Sequence, residues 1–452
     1  MNNVFELNGA VVEIPNEPIL LIDFLRQQRH LPGTKAPCRE GDCGACQVLL
    51  RRSGQADFQA MVSCLLPVQH LAGGQVLTIE GIPYPNPVQQ VFSVAGASQC
   101  GFCSPGLVIA AIHWLLSGNE LSVAEGCETL NGNLCRCTGY MGQKRGIAAL
   151  HERFAKELLV CGDRLAYLIA QQVLPAHLAN PNESLVAPTP EPVAATQVMG
   201  GGTDLLLELP LQDVVAHYQP IAIDQPALRV TADQLAISAL HSIDAVSHAL
   251  SEQALLPGFQ SFAHWFASPP LRALATLGGN LAHASPVGDG LCFFMALDAI
   301  LETDERTIPM AEFFLGFRKT QLKPGEVIRW IAIPLQHAQD WVLFEKVSRR
   351  KNTDIAAVNC TGRWRIVSDT IESVALVLGG ATVIPLRLAA LEASLMGKSL
   401  HEDLTPCLVD IELPITPLSD HRGSADYRRA LARQLLLSQW DQVQRSQEFD
   451  HA

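Results

Sequence analysis

Four cysteines near the start of the sequence have the spacing of an iron–sulfur site. Three of them form a C-x4-C-x2-C pattern and the fourth follows eighteen residues later, which is typical of a plant-type 2Fe–2S ferredoxin loop. Gly41 and Gly44 lie among them, and glycine allows the positive φ and close backbone approach that aim N–H groups at cluster sulfurs. A zinc site would favour paired C-x2-C motifs, and only one such pair occurs here. The four predicted iron ligands are Cys38, Cys43, Cys46 and Cys64.

A second group of four cysteines combines a C-x2-C pair with a C-x-C pair thirty-two residues further on. Each pair comes shortly before a predicted helix, and two helix N-termini aimed at one cluster would stabilise its negative charge. The pattern taken alone leaves zinc open, because four-cysteine sites with C-x2-C also bind zinc. Cys127 lies nearby but outside the pattern, and we interpret it as a buried thiol. The predicted ligands are Cys100, Cys103, Cys135 and Cys137.

Two segments rich in small residues in the second half of the sequence could hold a phosphate-bearing ligand. Residues 198–204, Val-Met-Gly-Gly-Gly-Thr-Asp, place a hydroxyl beside a glycine loop whose N–H groups could face an anion. This loop is not a G-x-G-x-x-G motif, so a Rossmann site is not supported, and taken alone it favours a simple tight turn. Residues 277–289 form the second such segment.

The composition indicates several domains with large buried surfaces. The 452 residues are too many for one core, and 48% of them are hydrophobic against 17% charged. A net charge of −13 argues against a nucleic-acid or anionic-membrane partner. We find no apolar run of about 18 residues and no leader pattern, so we expect a cytoplasmic protein. Disulfides are rare there, and the nine of thirteen cysteines between Cys38 and Cys137 therefore indicate metal or redox chemistry.

The elements that must position the two cysteine groups differ in kind. Around the first group, the Asn8-Gly9 turn signal predicts a hairpin over residues 3–14, followed by a helix over residues 19–28. Strands are predicted at residues 46–50 and 76–79. Around the second group, apolar periodicity predicts four helices. These helices cover residues 88–97, 105–117, 123–131 and 146–159.

The remainder of the sequence differs in its composition and in its pattern of predicted elements. Residues 161–192 are predicted to be a linker, because five prolines occur between residues 175 and 192. Glycine-rich turns then alternate with short strands and helices, as in an α+β domain. Strand-like segments such as residues 372–378 follow residue 341, and a final helix is predicted over residues 425–444.

Three segments that contain the cysteines resemble the iron–sulfur motifs of the molybdenum hydroxylases. This family includes xanthine dehydrogenase, aldehyde oxidase and carbon monoxide dehydrogenase. The segments are CREGDCGAC at residues 38–46, QCGFCSPG at residues 99–106 and NLCRCTGY at residues 133–140. The two segments rich in small residues likewise resemble the FAD-binding loops of the family's flavin domain.

The resemblance implies a multidomain α+β fold. We expect a plant-type, β-grasp ferredoxin-like 2Fe–2S domain over residues 1–82 and a four-helix 2Fe–2S domain over residues 83–160. After the linker at residues 161–192, an α+β FAD-binding domain is expected over residues 193–340. A small α+β C-terminal flavoprotein domain is expected over residues 341–452.

The resemblance also implies two 2Fe–2S clusters, one for each cysteine group, and one FAD. The glycine loop would hold the FAD pyrophosphate, Phe266 would pack at the flavin ring and Lys346 would contact FAD. Without the resemblance, Phe266 would be interpreted as a core residue. No catalytic residue is assigned, because the protein's task is to position cofactors and tune their potentials. The implied FAD-binding residues are Val198, Met199, Gly200, Gly201, Gly202, Thr203, Asp204, Phe266, Thr276, Asn280, Asp289 and Lys346.

Within the family, iron–sulfur and flavin parts fused in this order resemble the bacterial xanthine dehydrogenases. The sequence has no room for a molybdopterin-binding portion, so we expect that portion on a partner subunit, in a heterotetramer of two plus two. The implied electron route starts at the partner's molybdenum, where a purine is hydroxylated. It continues through the Cys100 cluster, the Cys38 cluster and FAD to NAD.

Three alternatives to this interpretation are kept. The first is a related hydroxylase acting on another N-heterocycle or an aldehyde. The second is a non-catalytic electron-transfer protein that has no NAD site. The third is a zinc-binding interaction module with a degenerate flavin fold.

Metal content tests the cysteine interpretation directly. We expect the anaerobically purified protein to be brown, to absorb in the visible range and to contain about four irons per chain, two for each cluster. Metal analysis and a visible spectrum measure this. A colourless, iron-free or zinc-loaded protein would contradict the prediction.

Overall fold

The computed structural model describes residues 3–179, 197–351, 353–409 and 412–450. The chain divides into two compact units. The N-terminal unit comprises Met1–Gln197, Gly202–Pro220 and Ser268–Leu274. The C-terminal unit comprises Val198–Gly201, Ile221–Ala267 and Ala275–Ala452. The domains predicted from the sequence are finer than this division, and their boundaries stay predictions.

A five-stranded sheet forms the first part of the N-terminal unit. The predicted hairpin is confirmed, since Asn8 and Gly9 have φ values of 51° and 87° and Leu7 pairs with Ala10. The first strand runs parallel to the strand Gln75–Leu77, and the other pairs are antiparallel. In sheet order the strands are Ala10–Glu13, Val4–Leu7, Gln75–Leu77, Gln47–Arg51 and Gln59–Val62.

One helical segment packs in the core with this sheet. It begins at Leu21, two residues after the predicted start, and its second half, Phe24–Gln28, is π-helical. Leu21, Phe24 and Leu25 are buried, as the amphipathic pattern predicted. The strand Gln59–Val62 was not predicted from the sequence.

The second part of the N-terminal unit is helical. The four predicted helices are confirmed, although the fourth begins at Met141 and includes a π-helical turn. Asn86 caps the first of them by accepting a hydrogen bond from the N–H of Val88. Short elements of the same unit are Leu205–Glu208, Leu211–His217, Tyr218–Pro220 and Pro269–Arg272. The main helical segments are Pro87–Val94, Ser104–Ser117, Val123–Thr129, Met141–Leu150, His151–Ala155, Lys156–Val160 and Arg164–Ala170.

The last of these helices corrects part of the predicted linker. The helix Arg164–Ala170 is preceded by its N-cap residue Asp163, whose side chain accepts a hydrogen bond from the N–H of Ala166. The helix buries Leu168 in the helical core. Val173 and Leu174 are buried in the same core. The prolines that suggested a linker start only at residue 175, and residues 180–196 lie outside the described part.

An antiparallel sheet and several helices make up the first half of the C-terminal unit. Its core is rich in aromatic residues, with Phe262 and Phe293 stacked at a centroid distance of 4.4 Å. The strands in sheet order are Thr307–Pro309, Ile300–Thr303, Ile328–Pro334, Gln234–Ser238 and Leu228–Val230. A short hairpin joins Phe314–Gly316 to Lys319–Thr320. The helices are Ile243–Glu252, Gly258–Trp265, Leu277–His283, Asp289–Ala296, Met310–Phe313 and Leu335–Ala338.

A second antiparallel sheet forms the last part of the chain, as the strand-like segments after residue 341 predicted. The predicted final helix is confirmed as Ala425–Asp450, and its Trp440 packs 6.2 Å from Trp364 of the sheet, centroid to centroid. The strands are Trp341–Val347, Val358–Val367, Thr370–Gly379 and Leu386–Arg387, and two further helices are Ala389–Leu395 and Thr405–Val409. Among the described residues, no helix combines the length and the hydropathy needed to cross a bilayer.

A buried carboxylate in the C-terminal unit generates a stability prediction. The Glu326 side chain has no exposed surface and accepts hydrogen bonds from Arg306 Nε at 3.0 Å and Thr303 Oγ1 at 2.8 Å. The Arg306 hydrogen bond lowers the pKa of Glu326 to about 2. We expect Glu326→Gln to lower the free energy of unfolding at pH 7 by about 1–3 kcal/mol, measured in urea.

The sign of the pH dependence follows from the lowered pKa. A carboxylate whose folded pKa is below its unfolded value stabilises the fold above the ordinary carboxyl range and loses this effect as pH falls toward about 2. The difference between wild type and Glu326→Gln should therefore shrink between pH 7 and pH 3. Glu312→Gln, at an exposed carboxylate, is the control and should change little. A difference that stays constant with pH would contradict the prediction.

Candidate iron–sulfur and flavin sites

The first cysteine group is brought together in the N-terminal unit as two pairs of thiols. The Sγ atoms of Cys38 and Cys43 are 3.2 Å apart, and Cys46 and Cys64 hydrogen-bond through their thiols. The second pair forms because Cys46 precedes one strand, Cys64 follows the next, and Gln47 pairs with Val62. A 2Fe–2S cluster takes four cysteine thiolates on two irons, and two close pairs fit that demand.

The loop that bears Cys38 and Cys43 has the predicted backbone. Gly41 and Gly44 have φ values of 79° and 66°, which confirms the expected left-handed positions. Arg39 also has a positive φ, and its guanidinium is held by Asp23 at 2.9 Å. The N–H of Glu40 donates to the Cys38 sulfur at 3.5 Å, the kind of backbone contact that stabilises a thiolate.

Hydrogen bonds between the thiols of the first group shift their pKa values in opposite directions. A hydrogen bond from Cys43 lowers the pKa of Cys38, and the same hydrogen bond raises the pKa of Cys43. Cys64 likewise lowers the pKa of Cys46, and its hydrogen bonds with Cys38 and Cys46 raise its own pKa. Cysteine binds a metal as the thiolate, so binding of a cluster by these thiols would release their protons.

The second cysteine group is also arranged as two pairs in the N-terminal unit. The Sγ atoms of Cys100 and Cys137 are 3.6 Å apart, and Cys103 hydrogen-bonds with Cys135. Cys103 is the N-cap residue of the helix Ser104–Ser117, as the sequence predicted. Cys100 and Cys137 are exposed, whereas Cys103 is buried. This group therefore has one exposed pair and a second pair made of a buried and a half-buried thiol.

Polar side chains that the sequence analysis did not identify surround Cys135. Its sulfur lies 3.1 Å from Thr138 Oγ1, and its N–H donates to the Tyr140 hydroxyl oxygen at 3.1 Å. Burial raises the pKa of Cys135, but the hydrogen bonds of Thr138 and nearby backbone outweigh it and lower the pKa to about 7. Burial and a hydrogen bond with Cys135 raise the pKa of Cys103 to about 12.

The paired thiols suit a two-iron cluster, and the described residues form no site that holds a single metal ion. Within residues 3–179, 197–351, 353–409 and 412–450, no group of three or more His, Cys, Asp or Glu side chains is placed to hold one metal ion. None of the thirteen cysteines forms a disulfide, and the eight predicted ligands are those that meet in two groups of four.

The glycine loop of the flavin half follows the strand Gln197–Met199. A Cβ placed on Gly200 would lie 2.3 Å from Thr276 Oγ1, so only glycine fits here. Val198 is exposed and Met199 is buried. The division between the two units passes through this loop after Gly201. In the N-terminal unit, Gly202 has a φ of 70° and precedes Thr203 and Asp204.

Two other predicted FAD-binding residues of the C-terminal unit, Thr276 and Asn280, each make a close contact within that unit. Thr276 caps the helix Leu277–His283 by accepting from the N–H of Gly279 at 3.0 Å. Asn280, one turn further on, lies against Gly290, where a Cβ would be 2.5 Å from its Oδ1. This buried Oδ1 has no hydrogen-bond partner among the described residues, so it can accept one from a bound ligand.

A buried ion pair includes Asp289, the residue that precedes Gly290. Lys346 Nζ is 2.7 Å from Asp289 Oδ2, and both residues are less than a tenth exposed. Asn359, which the sequence analysis missed, donates to Asp289 Oδ1 at 2.9 Å. Both charged side chains find their hydrogen-bond partners within the protein. Lys346 therefore fixes the position of Asp289, in addition to its predicted contact with FAD.

Phe266 is buried at the end of the helix Gly258–Trp265. Its ring centroid lies 5.7 Å from that of Phe262, within the aromatic core. This is the core packing that the residue type alone suggests. Contact with a flavin ring stays a prediction.

Three family models match the chain. They are the [2Fe-2S] binding domain over residues 78–148, the FAD binding domain in molybdopterin dehydrogenase over residues 177–336 and the CO dehydrogenase flavoprotein C-terminal domain over residues 344–443. Together with the two cysteine groups, they define the class of the protein as an iron–sulfur flavoprotein with a multidomain α+β fold.

Relatives narrow this class to one family. Xanthine dehydrogenase of Oryza sativa subsp. japonica is 26% identical over 95% of this chain, and xanthine dehydrogenase/oxidase of Rattus norvegicus is 29% identical over 95%. The chain spans only 38% of the length of each of these relatives. The chain belongs to the molybdenum hydroxylases, a family of oxidoreductases, and contains their iron–sulfur and FAD-binding domains.

A solved structure supports the fold alone. Quinoline 2-oxidoreductase from Pseudomonas putida 86 superposes with a TM-score of 0.50 and 20% identity. The match covers 55% of this chain and 90% of that chain.

The close approach of Gly200 to Thr276 generates a prediction for FAD binding. The methyl group in Gly200→Ala would collide with Thr276 Oγ1 and displace the loop. We expect FAD binding to weaken by about ten-fold, which corresponds to about 1.4 kcal/mol. Flavin fluorescence titration of the deflavinated protein measures this.

Gly162→Ala is the matched control, since a Cβ there has no neighbouring atom within 4 Å. Both variants should keep the wild-type iron content, because the cysteine groups are untouched. Equal FAD affinity in Gly200→Ala and wild type would show that this loop does not bind FAD.

Proposed function

We propose that the chain is the electron-transfer subunit of a xanthine dehydrogenase. In this proposal it passes electrons from a partner's molybdenum site, where hypoxanthine and xanthine are hydroxylated to urate, to FAD and then NAD. The observation that supports the proposal most is the arrangement of eight cysteines in two groups of four, each made of two close thiol pairs. When bound, two 2Fe–2S clusters supply single-electron transfer and FAD supplies hydride transfer.

The thiols would hold and tune the clusters. Cys43, Cys46 and Cys64 are buried, so the first group keeps water away from its cluster. Thr138 and Tyr140 place polar groups at Cys135, and hydrogen bonds near the sulfurs of a cluster adjust its potential.

The second cysteine group is the proposed entry point for electrons. Cys100 and Cys137 are exposed, and Phe102, Tyr140 and Met141 beside them expose between 41% and 57% of their surface. Exposed apolar side chains around an accessible redox site suit contact with a protein. The proposed partner is the molybdopterin-binding large subunit, in a heterotetramer of two plus two.

The FAD-binding residues have proposed roles that match their placement. In the C-terminal unit, Gly200 and Thr276 would lie at the pyrophosphate, with N–H and hydroxyl groups as donors, and Asn280 Oδ1 would accept a hydrogen bond from FAD. Asp289 would be held in its buried position by Lys346. We also propose a β-grasp form for the N-terminal sheet, a four-helix 2Fe–2S domain after it, and a cytoplasmic location in keeping with thirteen cysteines that form no disulfide.

A pair of cysteine variants tests the electron route in the complex with its molybdenum subunit. Cys137→Ser removes one ligand of the second group, so we expect about half of the iron to be lost. Xanthine should then no longer reduce the flavin, whereas NADH should still do so. Cys127→Ser alters a half-buried thiol outside both groups and should keep the iron and both reactions. Anaerobic visible spectroscopy follows the flavin and the clusters.

Other outcomes would support the alternatives. Flavin reduction by an aldehyde or another N-heterocycle, but not by hypoxanthine or xanthine, would favour a related hydroxylase. A wild-type flavin that NADH does not reduce would favour a non-catalytic electron-transfer protein. Loss of xanthine-dependent reduction in both cysteine variants would contradict the assigned route.

A further inference from the structure

Two buried amide side chains join the cluster-binding loops of the N-terminal unit. Asn133 Nδ2 donates to the carbonyl oxygen of Gly44 at 3.1 Å, and Gln47 Nε2 donates to Asn133 Oδ1 at 3.1 Å. Both side chains are 2% exposed. Asn133 lies two residues before Cys135, and Gln47 directly follows Cys46. The pair therefore ties the loop of one predicted cluster to the loop of the other.

A backbone hydrogen bond beside the amide pair links a ligand residue of the first group to the residue that precedes a ligand of the second group. The N–H of Leu134 donates to the carbonyl oxygen of Cys43 at 3.0 Å. Leu134 directly precedes Cys135, so the two ligand residues are connected by one hydrogen bond and a short stretch of backbone. The amide pair lies next to this bond in both loops and restricts how far the loops can separate.

Glycines allow the two loops to come so close. A Cβ on Gly44 would lie 2.2 Å from the carbonyl oxygen of Gly132, and a Cβ on Gly106 would lie 2.1 Å from the carbonyl oxygen of Gly44. No real Cβ fits at such distances, so any side chain here would push the loops apart. The close contact therefore depends on three separate segments of the chain, which contain Gly44, Gly106 and Gly132.

Packing alone does not require amides at this position. A buried polar group is costly unless it is hydrogen-bonded, and replacing both partners with apolar groups of similar shape can be nearly neutral. Gln47 Oε1 is buried without a hydrogen-bond partner among the described residues, so the pair includes an uncompensated polar atom. Directional hydrogen bonds fix a register between two loops, which apolar contacts do not do.

We propose that Asn133 and Gln47 are positioning residues that set the rate of electron transfer between the two clusters. They act by holding the hydrogen bond from Leu134 to Cys43, and they leave the iron ligands themselves unchanged. This inference rests on the proposed function, because it requires a cluster in each cysteine group.

Asn133→Leu tests the inference in the full-length protein loaded with both clusters. The variant keeps a similar side-chain volume and removes both amide hydrogen bonds. We expect unchanged iron content and unchanged midpoint potentials in an anaerobic redox titration. The magnetic interaction between the two reduced clusters in the electron paramagnetic resonance spectrum should weaken. Electron exchange between them after pulsed photoreduction should slow by about ten-fold.

Two further variants separate positioning from general destabilisation. Gln47→Met keeps the hydrogen bond from Asn133 to Gly44, so its effect should have the same sign and be smaller. Asn86→Ala alters a buried amide of the same unit that caps a helix and donates to the carbonyl oxygen of Val173 at 2.9 Å. It should lower the melting temperature and leave both the magnetic interaction and the exchange rate as in wild type.

The outcomes distinguish this inference from the proposed function. A wild-type protein without two clusters would overturn both. Wild-type exchange and magnetic interaction in a fully loaded Asn133→Leu would overturn the positioning role alone. If that variant does not fold, Gln47→Met decides, and an exchange rate equal to that of wild type would refute the inference.

Discussion

The need to bring four thiols together as two close pairs constrains the whole N-terminal unit. In the first group, Cys46 and Cys64 meet because they flank two hydrogen-bonded strands, so the sheet register itself fixes one pair. The other pair depends on a loop with glycines at positive φ. In the second group, Cys103 caps a helix and Cys135 precedes another, so helix packing supplies the same result. Two unrelated arrangements of secondary structure thus meet one geometric demand.

The flavin half depends on buried polar groups in place of thiols. Asp289 and Lys346 would each be costly to bury alone, and their 2.7 Å contact together with the Asn359 hydrogen bond makes the pair tolerable. Asn280 Oδ1, which lies against Gly290, is left without a partner among the described residues. Asn359 Oδ1 is likewise buried without a partner among the described residues, so two amide oxygens of this unit can accept hydrogen bonds from a bound ligand.

The sequence predicted the parts of the fold that follow from local signals. The Asn8-Gly9 hairpin, the four helices and the left-handed glycines at positions 41 and 44 depend on residues close in sequence, and the structure confirms them. Asn133 and Asn359 could not be identified in this way, because their partners lie 89 and 70 residues away. The helix Arg164–Ala170 was missed for another reason, since the prolines beyond it dominated the interpretation of the segment.

The two cysteine groups differ in exposure, and this difference bears on the parts that the proposed relay would give them. Three of the four thiols in the first group are buried, whereas Cys100 and Cys137 of the second are exposed. A cluster held by exposed thiols would be accessible to another protein, and a cluster held by buried thiols would be shielded from water. Because the hydrogen bond from Leu134 to Cys43 joins the two loops, the enclosed group has a bonded connection to the exposed one. In the proposed relay, access from outside and isolation from water would therefore fall to different clusters, and the contact between the loops would connect them within one chain.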